Sequence, residues 1–128
     1  MKTLVIILNV LIALEVVYGD INAVKQYKQA YEKCAQKIKA PVDQLRIDTL
    51  ICVAIEDGGV LDKYGGYIVE ECAKRLHTLI THPDRLKKAT ELFNKCDKKA
   101  TETGAKGFAK LIEFLICGAH IVTYFDLE

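Results

Sequence analysis

The sequence has no tryptophan, one methionine and two prolines, and its charges nearly cancel: 18 Lys and Arg against 17 Asp and Glu give a formal net charge of +1. Each scarcity excludes something. Phosphate binding needs a concentrated basic surface, so near-neutrality gives no electrostatic reason to expect nucleic acid as a partner. Aromatics at 8% without tryptophan are too sparse for a platform on which bases stack. With 51% hydrophobic and 27% charged residues, collagen-like, low-complexity and strongly disordered chains are excluded as well, and 128 residues favour one domain.

Signatures of chemistry are missing too. His77, His82 and His120 are scattered, outside any H-E-x-x-H or Cys-x-x-Cys ligand spacing, and there is no G-x-S-x-G elbow. Gly58-Gly59 and Gly65-Gly66 are turn signals rather than phosphate cradles. A Cys72–His77 dyad fails on geometry, because five residues along a helix place the two about 140° apart. The expectation is a protein that is not an enzyme and uses neither cofactor nor metal. No N-x-S/T sequon occurs: Asn9, Asn22 and Asn94 are followed two residues on by Leu11, Val24 and Cys96.

A long apolar run occurs only at the start. Lys2 precedes Leu4 to Leu14, interrupted by Asn9, and Val17-Tyr18-Gly19 offers a cut site. That is the layout of a signal peptide over residues 1–19, with Glu15 as its blemish, leaving 20–128 as the domain. No later run is long enough for a bilayer, so the expectation is a secreted, extracellular protein without a membrane span. All five cysteines (Cys34, Cys52, Cys72, Cys96 and Cys117) lie in the mature part. In an oxidising compartment they read as a disulfide framework with one thiol left over, and counting alone leaves fifteen arrangements open.

Helical spacing dominates. Ile21, Val24, Tyr27, Tyr31, Cys34 and Ile38 recur in steps of three or four and predict a helix from Asp20 to about Lys39. Pro41 suits the first turn of a second helix to about Glu56, stopped by Gly58-Gly59. A third begins near Tyr67, with Ile68, Cys72, Leu76 and Leu79 as its stripe. Pro83 and Asp84 suit the start of a fourth, which carries Leu86, Ala89, Leu92, Phe93 and Cys96. After a polar loop at 101–107, with Thr103 as a candidate cap, the last helix runs from Phe108 to Ala119, and Ile121 to Glu128 is a tail. The last helix is apolar on more than one face, so it is either wrapped by neighbours or lines a cavity. The fold class is all-α, one domain.

Several segments resemble the insect odorant-binding proteins, in particular their four-cysteine branch. These are Cys34 at the end of the first long helix, Cys52 followed by Val60-Leu61-Asp62-Lys63, His82-Pro83-Asp84-Arg85-Leu86, Leu92-Phe93-Asn94-Lys95-Cys96, and Ala109-Lys110-Leu111 leading to Cys117. Asp48, with three residues before Cys52, and Phe108, with eight before Cys117, stand where six-cysteine members carry the missing pair. Two features depart from the pattern: only 17 residues separate Cys34 from Cys52, and Cys72 is extra. The resemblance implies five to six helices around an apolar cavity, with bridges Cys34–Cys52 and Cys96–Cys117. Cys72 would then be a buried apolar-like thiol, an intermolecular disulfide or a reactive group.

The resemblance further implies a secreted carrier of small hydrophobic ligands such as odorants, pheromones or lipids, with a chemoreceptor as a further partner, as monomer or homodimer. Candidate ligand-binding walls are Leu50, Val53, Ile68, Cys72, Leu76, Phe93, Phe108, Leu111, Ile112, Leu115 and Tyr124, each also readable as plain core. Tyr124 and Phe125 are candidates for a lid, and Tyr27, Tyr31 or Tyr124 for a hydroxyl facing an oxygenated guest. His120, near Asp126 and Glu128, is a candidate for pH-dependent release or a bystander. The competing reading is a secreted helical interaction protein or a venom, salivary or seminal factor, including a scavenger of a host amine or lipid.

Overall fold

The structure, a computed structural model, describes residues 22–126. The expected signal segment and the last residues of the tail lie outside that range. The fold is all-helical. Helix α1 covers 22–37, followed by α2 (Ile47–Asp57), α3 (Val69–Leu79), α4 (Pro83–Glu102) and α5 (Phe108–Gly118), which passes directly into a 3-10 helix at Ala119–Tyr124. Among the described residues the sole β feature is an isolated antiparallel bridge between Leu61 and Tyr67.

Helix α4 shows why these segments form where they do. Pro83 occupies its first turn, where the missing N–H leaves no hydrogen bond unmade. Ala89, Phe93, Cys96 and Ala100 then bury one stripe in steps of four, three and four. Ala89 and Cys96 are wholly buried, whereas Lys87, Lys88, Lys95, Lys98 and Lys99 are exposed. The core gathers around this stripe: Leu76 and Ile80 from the α3 end, Phe114 from α5 and Ile121 from the 3-10 helix. Phe93 and Phe114 stand 4.9 Å apart, and Tyr67 sits 4.6 Å from Phe114 while its hydroxyl donates to the Asp97 carboxylate at 2.6 Å.

Two disulfides staple neighbouring helices: Cys34–Cys52 joins α1 to α2, and Cys96–Cys117 joins α4 to α5. The bonded cysteines are 18 and 21 positions apart in sequence, so each bridge stabilises by about 3 kcal/mol through the restricted unfolded chain. Gly118 packs tightly: a Cβ there would lie 3.3 Å from the Phe114 ring and 3.4 Å from Cys96 Cβ, so these neighbours would have to give by a few tenths of an ångström.

Several expected boundaries move. The second helix starts at Ile47, not Pro41: residues 41–46 form turns, and the Tyr31 hydroxyl donates to the Gln44 carbonyl, tying that loop to α1. Arg46 enters the helix in extended conformation and grips Asp48 with Nε at 3.0 Å and a second nitrogen at 2.7 Å. The third helix starts at Val69, because Tyr67 is committed to the bridge with Leu61 and the Ile68 N–H donates to the Val60 carbonyl. Thr103 does not cap α5; its hydroxyl donates back to Ala100 at the end of α4, and Gly107 takes the cap position. The early part of the tail forms a 3-10 helix with Ile121 buried.

Candidate functional site: an apolar cavity between the helices

A cavity of about 180 Å³ lies where all five helices converge. Its walls come from Tyr27 on α1, Leu50, Val53 and Ala54 on α2, Cys72, Leu76 and Leu79 on α3, and Phe93 on α4. Phe114, Leu115 and Gly118 on α5, Ile121 and Val122 on the 3-10 helix, and Phe125 close the rest. Asp57 and Arg75 also line it, as an ion pair with Nη2 and Nε of Arg75 at 3.0 and 3.2 Å from the carboxylate oxygens.

Inside, polar atoms are few. Burial pushes the Tyr27 hydroxyl well above the usual phenol range, so it stays protonated and able to donate. Among the described residues it makes no hydrogen bond. Burial likewise raises the Cys72 thiol to about 11, which leaves it a poor nucleophile. At the ion pair the effect is opposite: the hydrogen-bonding Arg75 guanidinium holds the Asp57 carboxyl below its ordinary range. Among the described residues no cluster of His, Cys, Asp or Glu is placed to hold a metal ion.

Of the residues singled out in the sequence, Leu50, Val53, Cys72, Leu76, Phe93 and Leu115 reach the cavity. Ile68, Phe108, Leu111, Ile112 and Tyr124 do not, for local reasons. The cavity touches α5 from Phe114 onward, so the first half of that helix lies away from it. There Leu111 is buried as ordinary core, Ile112 is half-buried, and Phe108 is 44% exposed, packed on Gly65 of the preceding loop. Ile68 is the N-cap of α3, one turn before Cys72. Tyr124 packs on the outside of the core, while its neighbour Phe125 reaches the wall. Tyr31 spends its hydroxyl on Gln44, and Asp126 pairs with Arg85 at 2.9 Å. The sequence reading missed several wall residues, among them Leu79, Phe114, Ile121 and the Asp57–Arg75 pair. Phe114 was findable, standing one helical turn before Gly118.

The fold and the site together define a class: a small, disulfide-stapled, all-helical domain built around an apolar cavity. The model of the Ant venom allergen Sol i 2 family matches residues 33–122, and the chain belongs to that family. No curated protein and no solved structure matches it. This corrects the resemblance to odorant-binding proteins, and the odorant, pheromone and chemoreceptor implications lose their basis with it. The misleading signals were local: a proline opening a helix and an apolar stripe ending in a stapled cysteine are what any bridged helix pair requires. Among the described residues no helix is long and apolar enough to cross a membrane.

Proposed function

We propose that this is a secreted venom protein that acts by binding, not catalysis, and holds one small hydrophobic molecule in the cavity between its helices. The observation that carries the reading is the chemistry of the walls: aliphatic and aromatic side chains from every helix, with the Tyr27 hydroxyl, the Cys72 thiol and the mutually paired Asp57 and Arg75 as the polar groups. Burying apolar area there yields about 25 cal/mol per Å². Size limits the guest. An apolar cavity of about 150 Å³ stays dry and accepts benzene, so 180 Å³ suits a molecule of about six to eight carbons. The venom family and the two bridges support secretion, with the cut expected after Gly19.

Calorimetric titration with benzene and 1-hexanol tests the reading. Saturable binding of one guest per chain is expected. Absence of saturable binding, with no small molecule released from the native protein in a mass spectrometer, overturns it.

A further inference from the structure

One neutral donor on the cavity wall is left unused by the protein. Tyr31 donates to the Gln44 carbonyl and Tyr67 to the Asp97 carboxylate, whereas the Tyr27 hydroxyl makes no hydrogen bond among the described residues. Nor is that hydroxyl sealed inside protein. Among the described residues no enclosed side-chain nitrogen or oxygen lacks a partner. Tyr27 is half-buried, so its unpartnered oxygen must border open space.

Tyr27 touches the inner cavity and two more open hollows, one beside α3 and one beside residues 42–45. Two observations favour the inner side. The ring stands edge to face on Phe125, itself a cavity wall, with centroids 5.1 Å apart. Burial is also what chiefly raises the phenol above its ordinary range, which suits a hydroxyl among side chains better than one in an open groove.

The other polar walls are engaged or weak. Asp57 and Arg75 hold each other at 3.0 and 3.2 Å, and a thiol such as that of Cys72 is a poor donor. A pure hydrocarbon filling the cavity would shut the Tyr27 hydroxyl away from water with nothing to accept its proton, a costly arrangement in an apolar medium. A guest with an oxygen at that place removes the cost.

Given the binding reading above, we propose that the guest is a neutral carbonyl compound of about six carbons, a ketone, aldehyde or ester, whose oxygen accepts a hydrogen bond from Tyr27. The aliphatic and aromatic walls enclose its hydrocarbon part. Tyr27 is then the residue that sets the class of guest, and the apolar walls set only its size.

Calorimetric titration of the purified protein and of Tyr27→Phe with 2-hexanone and benzene tests this. The substitution keeps the ring and removes the donor. It should weaken 2-hexanone about fivefold and leave benzene within about twofold. An infrared spectrum of bound 2-hexanone, labelled with carbon-13 at the carbonyl, gives a second readout that a purely structural role would not move. The carbonyl band should lie below its position in hexane, and Tyr27→Phe should return it there. Equal changes for both guests, no change for either, or a band at the hexane position overturns the proposal and leaves the cavity reading standing. Binding of benzene without binding of 2-hexanone does the same. Failure of both guests to bind the unsubstituted protein overturns both readings. Should Tyr27→Phe fail to fold, the infrared band in the unsubstituted protein decides alone.

Discussion

Tyr27 of α1 and Phe125, just beyond the 3-10 helix, meet edge to face with ring centroids 5.1 Å apart and planes at 85°. Both rings line the cavity, so the two ends of the described chain close over it together. The neighbouring Asp126 fixes this closure: its N–H donates to the Leu79 carbonyl at 2.8 Å, and its carboxylate accepts from Arg85 and from the Thr81 N–H, each at 2.9 Å.

Replacing Phe125 by alanine should therefore act on stability and on guest exchange. Fully buried phenylalanines cost about 3–5 kcal/mol when truncated. For the half-buried Phe125, with the loss of one aromatic pair, about 2 kcal/mol is expected from urea denaturation. Dissociation of a bound guest, followed by stopped flow, should accelerate. An unchanged dissociation rate would show that Phe125 does not act as a lid.

Cys72 should be slow to react in the folded protein. Its thiol is raised from 9.0 to about 11, chiefly by burial, which lowers the thiolate population near pH 8 by about 100-fold. Iodoacetamide should label it about two orders of magnitude more slowly in native protein than in denaturant, where the two bridges remain closed. Comparable rates in the two states would mean that Cys72 lies open to solvent.

Gly107 is held at a positive φ of 59°, and a Cβ added there would lie 2.8 Å from the Tyr64 carbonyl oxygen. That same oxygen accepts the Phe108 N–H at 3.1 Å, docking the loop before α3 onto the start of α5. Gly107→Ala should destabilise by about 1–3 kcal/mol, read from the urea midpoint. Gly104 is also at positive φ, 78°, but has open space around its Cβ position. Its alanine variant should cost less, and equal losses would show that the Tyr64 clash contributes nothing.

Asp57 makes stability depend on acid. Its folded-state pKa is depressed below the ordinary 3.8, so the ionised form is favoured in the fold. The resulting stabilisation is fully present above the unfolded value and fades as pH falls through the depressed one. Denaturation midpoints should therefore drop below about pH 4, the ordinary aspartate range. Asp57→Asn should flatten part of that drop. The carboxylate side chain is 31% exposed, so added salt should reduce the difference. A variant with an unaltered acid profile would remove Asp57 as a contributor.

How much of this could be read from the residues depends on whether a local rule decides it. Helix α4 was legible because its proline, its buried stripe and its cysteine all specify the same register. The start of α2 was not, because Pro41 is as well suited to a turn as to a first helical turn, and the choice rests on the Tyr31–Gln44 hydrogen bond across α1. The cavity walls followed the same division. Leu76 and Phe93 stand on clear stripes, whereas Phe108 and Leu111 belong to equally apolar turns that the final packing points elsewhere. Which part of α5 meets the hollow is settled by the Gly107–Tyr64 docking, a relation between distant segments that spacing within one helix does not encode.

The covalent staples also say where the molecule is unsewn. One ties α1 to α2 and the other α4 to α5, so α3, which contributes Cys72, Leu76 and Leu79 to the chamber, is stitched to neither pair. Ion pairing at Arg75, the Asp126 latch and apolar packing are what hold it. A passenger arriving or leaving by that side breaks no bond stronger than these, and the panel beside it is hung rather than welded.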